Sequence, residues 1–231
     1  IHYSRLAYNN IFDPLLAVLA FYFFVRGLRT RGALNFALAG VCLGLGQYFY
    51  MGGRVVPIVL VLFVGWLLWR EPDFWHTHRG NLGIVAGAFL VVALPLLLFF
   101  ARHPNDFMAR MTQLGIFQSG WLTKASELFK RSQASLLWEQ FVKSALAFHY
   151  YHDPVFHYFP KMPLLDAVSA VPFTFGLVYA TARFREQRHA LFVLWLWAVL
   201  IFGGMLLENP PSSQRLVLSA IPACIFIGLG L

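Results

Sequence analysis

Apolar residues in this chain run on without alternation for the length of a bilayer crossing, and they do so repeatedly. A helix needs about 20 mostly apolar residues to cross the hydrocarbon layer. Residues 8–27, 33–51, 55–70, 81–101, 163–183, 189–207 and 215–231 meet or approach that length. Strands of a membrane barrel would switch between apolar and polar at every second residue, and these stretches do not. The expected fold class is therefore all-α: a polytopic transmembrane helix bundle of about seven spans, each closing its backbone hydrogen bonds internally. Only 12% of the residues are charged, against about a quarter in a soluble domain. Cys42 and Cys224 both sit inside apolar runs, where they act as small hydrophobes and suggest neither a disulfide nor a metal site.

Residues 102–162 are too polar to form a span and read as one long loop. Within it, 133–148 ("QASLLWEQFVKSALAF") has helical apolar spacing and is expected to lie as an interfacial helix. The whole of 1–231 reads as a single transmembrane domain. The chain starts at Ile1 without a signal-peptide pattern and stops inside the apolar run "CIFIGLGL". It reads as a piece of a longer polytopic protein.

Lys and Arg set the orientation. Arg26, Arg29, Arg31, Arg70, Arg79, Arg183, Arg185 and Arg188 fall in three short connections on one side. The short segments opposite hold only Arg5, Arg54 and Arg215. Short loops rich in Lys and Arg stay in the cytoplasm, whereas loops of about 60 residues translocate largely regardless of charge. The 102–162 loop is thus expected to be extracytoplasmic. The net charge of +8 follows in large part from this bias and needs no nucleic acid to explain it. Asp13, Asp106, Glu127, Glu139, Asp153, Asp166 and Glu208 gather on the extracytoplasmic side or its membrane boundary. Chemistry is expected there.

Four segments converge on that boundary: "IHYSRLAYNNIFD", "GQYFYMGGR", the long loop and "ENPPSSQR". Arg5, Arg54 and Arg215 stand at or just before three of the spans. Each could anchor its helix at the headgroups. Three on the face that should be depleted of them suggest instead a phosphate, which guanidinium binds bidentately. Asp13, followed by Pro14, suits the first turn of a helix as well as a site. His149, His152, Asp153 and His157 do not form a metal-ligand pattern, because Pro154 breaks the helical register that paired ligands would need. Asp166 is placed as a helix-terminus acid. The glycines at 40–46 lie within a span, where small residues let helices approach closely.

These residues carry a resemblance. "HYSRLAYNN", with "DPLLAVLAFYFFVRGLR" after it, and then "LAGVCLGLGQYFYMGGRVVPIVL" resemble consecutive segments of membrane glycosyltransferases related to protein O-mannosyltransferases and the lipid A aminoarabinose transferase. "HDPVFHYFPKMPLLD" and "NPPSSQRLVLSAIPACIFIGLGL" resemble later segments, in order. Two departures stand out: Asn10 occupies the place of an acid in close relatives, with Asp13 nearby, and His152 replaces a Gly before the loop Asp.

The resemblance implies a GT-C-like fold and an inverting transfer on the extracytoplasmic face of a prokaryotic plasma membrane. The donor would be a sugar linked to polyprenyl phosphate, and the acceptor a protein, lipid or glycan. The catalytic Asp is expected upstream of Ile1. Such a transfer needs a base for the acceptor and a group to neutralise the leaving phosphate, either arginine or a divalent metal. Arg5, Arg54 and Arg215 are the candidates for phosphate. Asn10, Asp13, Tyr48, Tyr50, Asp153 and His157 are the candidates for sugar or acceptor contacts. A transporter or flippase-like protein would instead carry polar residues deep in several spans, which are nearly absent here. A non-catalytic membrane subunit is the third reading.

Overall fold

The computed structural model describes residues 9–154 and 161–231. Arg5 and His157, both named above, lie outside the described residues. The described chain is helical, with no β-strand among the described residues beyond an antiparallel bridge pairing Gly115 with Leu207. Its α-helices are α1 (Phe12–Thr30), α2 (Ala33–Leu45), α3 (Val55–Arg70), α4 (Phe74–Arg102), α5 (Pro104–Leu114), α6 (Trp121–Phe129), α7 (Gln133–Ala145), α8 (Ala167–Ala182), α9 (Gln187–Leu200) and α10 (Ala220–Gly230).

Each expected span is occupied by one helix, with shifted ends. The fourth begins at Phe74 rather than 81, and the last is preceded by a 3₁₀ turn at Val217–Ser219. Among the described residues, three stretches are long and apolar enough to cross a membrane: Met51–Arg70, Phe74–Arg102, and Gln187–Met205, where α9 runs on into a π turn. The described residues of the 102–162 segment hold three short helices, α5 to α7, where sequence periodicity marks one. α6 and α7 are amphipathic and stabilise each other by packing Leu122, Ala125 and Leu136 together, with Trp121 and Leu137 against them. Ser132 caps α7 by accepting the Ser135 N–H at 3.2 Å, which satisfies one of the first-turn donors.

The chain divides into two compact units, residues 1–102 with 183–194, and 103–182 with 195–231. The first is centred on Phe24, Phe36 and Phe63, all fully buried. Phe24 meets the other two edge-on, with centroids 5.8 and 6.3 Å away. Gly40 and Gly44 of α2 lie directly on α4: a Cβ at Gly40 would stand 2.3 Å from the Val85 carbonyl, and one at Gly44 2.7 Å from the Val92 side chain. Small residues therefore set the spacing of this helix pair. The opposite side of α4 exposes the large apolar side chains Leu90, Val91, Leu94, Leu98 and Phe99.

In the second unit α8 and α10 pack antiparallel. A Cβ at Gly176 would fall 1.8 Å from the Phe226 carbonyl, and one at Gly230 1.9 Å from that of Pro172. Asp166 starts α8 as anticipated. Its Oδ1 accepts the N–H groups of Val168 and Ser169, both at 3.0 Å.

Candidate functional site

The sequence candidates fall into two groups, one in each unit. Asn10, Asp13, Tyr48, Tyr50 and Arg54 belong to the first unit, Asp153 and Arg215 to the second.

In the first unit, the turn from α2 to α3 wraps the start of α1. Gln47 staples this elbow, its Nε2 donating to the carbonyls of Leu43 (3.1 Å) and Gly53 (3.2 Å). Gly53 is required there, because a Cβ would stand 2.2 Å from the Gly46 carbonyl oxygen. Tyr48 is half exposed and ties the elbow to α4, its hydroxyl donating to the Val92 carbonyl at 2.8 Å. Phe49 packs on Phe12 with centroids 4.8 Å apart. The Arg54 guanidinium sits 5.5 Å from the centre of the Phe100 ring, a cation–π arrangement that holds it near the helix ends. Asn10 is buried.

Asp13 is the unusual member. It is 1% exposed, and neither carboxylate oxygen has a hydrogen-bond partner of good geometry. Asp13 lies beside Gly53, where a Cβ would stand 3.5 Å from its Oδ1. It faces a narrow cleft lined by Cys42, Leu43, Gly46 and Val56. An acid inside apolar surroundings is costly.

In the second unit, the Leu206–Leu216 segment is pinned from several directions. The bridge at Gly115 holds one end through Ile116 N–H to the Leu206 carbonyl (3.2 Å) and Glu208 N–H to the Leu114 carbonyl (2.8 Å). The Ser119 hydroxyl donates to Glu208 Oε1 at 2.6 Å, and Arg215 Nη1 donates to the Glu208 carbonyl at 2.7 Å. Asp153 closes the other side. Its Oδ2 accepts the Ser213 N–H at 2.7 Å and also the Ser213 hydroxyl. Asp153 is 2% exposed, so that carboxylate oxygen is committed to Ser213. Asn209 adopts a left-handed backbone (φ 54°), which asparagine tolerates better than most residues.

The sequence candidates thus include two residues of this network, Asp153 and Arg215, and miss Ser119, Glu208 and Ser213. A serine pair in "PPSSQR" gives no local sign of a partner sixty positions away. Among the described residues, no group of three or more His, Cys, Asp or Glu side chains is gathered so as to hold a metal ion. No family model, curated protein or solved structure matches the chain.

Proposed function

We propose that this chain is the membrane portion of an extracytoplasmic glycosyltransferase that takes its sugar from a polyprenyl-phosphate donor. The supporting observation is the Asp153–Ser213 contact. It joins "HDPVFHYFPKMPLLD" to "NPPSSQR", two stretches whose patterns resemble separate segments of one enzyme family. The proposed topology has seven spans, with 102–162 outside, in a GT-C-like arrangement. The apolar outer surface of α4 supports a lipid surrounding.

In the proposed reaction the bond between sugar C1 and the phosphate oxygen breaks, while C1 forms a bond to the acceptor oxygen from the opposite face. The acceptor proton passes to a base, and the departing polyprenyl phosphate keeps the electron pair. Arginine is suited to that anion because its fork of N–H donors matches phosphate oxygens. Arg54 in the first unit and Arg215 in the second are alternative candidates for that role. Arg215 already donates one N–H to the Glu208 carbonyl, which fixes its direction. Asp153 acts in this reading as a positioning residue for the Arg215 segment.

The test is transfer from a radiolabelled polyprenyl-phosphate sugar by the purified full-length protein, with release of polyprenyl phosphate measured in parallel. Inverted configuration at C1 is expected. Either Arg54→Gln or Arg215→Gln is expected to lower turnover by about 10²- to 10³-fold, as for losing one preorganised donor to a developing anion. Unchanged turnover in both variants, or no donor consumption by the wild type, would defeat the proposal.

A further inference from the structure

A cavity of about 290 Å³ opens in the second unit, between α6, α7 and the Asn209–Pro210 turn. None of the candidates above lines it. Its volume is near the lower end for small-molecule sites, about 300–1,000 Å³, the scale of a single sugar ring or little more.

The lining has a definite chemistry. Trp121 and Phe129 present aromatic surface, Phe129 being largely exposed. Glu139 lies between two cations, Arg131 and Lys143, with the Lys143 ammonium 2.7 Å away. Arg131 also donates to the Ser135 hydroxyl at 2.8 Å. One carboxylate between two cations leaves a surplus positive charge at the wall. The decisive residue is Gln140. It is 3% exposed, lines the cavity, and its amide makes no side-chain hydrogen bond within the described residues. Buried amides are normally satisfied, so an amide on a cavity-lining residue is one a ligand can satisfy.

We infer that this cavity binds a saccharide carrying an acidic group. The ring's apolar face would lie on the aromatic surface, its hydroxyls would meet Gln140, Asn209 and Glu139, and its anion would meet Lys143 and Arg131. Aromatic faces with a few placed polar groups make up an orienting site of this kind. The inference rests on the transfer reading for the sugar's fate, as donor or acceptor, but not for its binding.

The test uses the full chain in detergent micelles with glucuronate, glucose and glucose 1-phosphate as probes, titrated by calorimetry and by saturation-transfer NMR. Glucuronate or glucose 1-phosphate is expected to bind at least about tenfold more tightly than glucose, since an ionised acceptor strengthens the bond to a cationic donor. Lys143→Gln, at a partly exposed position that tolerates change, should abolish that preference. Gln140→Leu should weaken all three probes. Displacement of the probe by a polyprenyl-phosphate-linked uronate would mark the donor's sugar, and displacement only by a free uronate-ended disaccharide would mark an acceptor. Equal affinity for charged and neutral probes, affinities unmoved in both variants, or no binding at all overturns the inference. Binding without any transfer would retire the transfer reading alone. Transfer with kinetics untouched by both variants would retire this site alone.

Discussion

Asp153 accepts both the backbone N–H and the hydroxyl of Ser213, sixty positions further along the chain. Both residues are buried, so the pair acts away from bulk water, where an unmade hydrogen bond is expensive. One carboxylate oxygen thereby fixes the backbone of the segment that carries Asn209 and Arg215.

Asp153→Ala leaves the Ser213 N–H and hydroxyl without their acceptor. It is expected to lower stability by about 1–3 kcal/mol, the cost of stranding buried polar groups. Ser213→Ala removes one donor and keeps the backbone bond, with a smaller loss of about 0.5–1.5 kcal/mol. The double variant should fall well short of the sum, because the two act on one contact. Thermal unfolding in detergent measures all three. Strict additivity would show that the pair is not coupled.

Gly176→Ala forces a methyl group into the Phe226 backbone, 1.8 Å from its carbonyl oxygen. The α8–α10 pair cannot close, and a loss of about 1–3 kcal/mol is expected from overpacking. Gly65 has open space around its Cβ position, so Gly65→Ala should be neutral or slightly stabilising through helix propensity, by up to about 1 kcal/mol. Comparable melting temperatures for the two variants would contradict the helix packing.

Hydrogen bonds from Lys143 and Arg131 hold the Glu139 carboxyl below its usual range, outweighing the opposing effect of partial burial. A depressed carboxyl stabilises the fold above its unfolded value, near 4.3, and that contribution fades as pH falls through the folded value. The side chains involved are about one-third exposed or more, so solvent screening keeps the effect to a few tenths of a kcal/mol. Glu139→Gln should flatten the acid side of the stability profile, below the ordinary carboxyl range. An identical profile in the variant would remove Glu139 from the account.

The proposed topology places Glu127 outside and Arg29 inside. A cysteine at Glu127, in an otherwise cysteine-free chain, should react with an impermeant maleimide in intact cells. A cysteine at Arg29 should react only after permeabilisation. The reverse pattern would invert the orientation.

The helices were legible because their causes are local. Partition of 55–70 or 81–101 into an apolar setting is summed along the chain, and so a contiguous run of Val, Leu and Phe suffices to mark α3 and α4. Gly40 and Gly44 announced close packing for a similar reason, since a missing side chain permits approach wherever the partner comes from. Asp166 at the start of α8 was also written locally. The short helix α6 was not, because nine residues in a polar segment are marginal alone and become stable through contacts such as Leu122 with Leu136. Tertiary structure alone decided that Asp153 meets Ser213, that Asp13 is sealed among apolar side chains, and that Gln140 opens onto the same cavity as Asn209. Each of those relations joins residues far apart in sequence. Its energy is realised only after the intervening chain has closed its loops, so no residue near either partner records it.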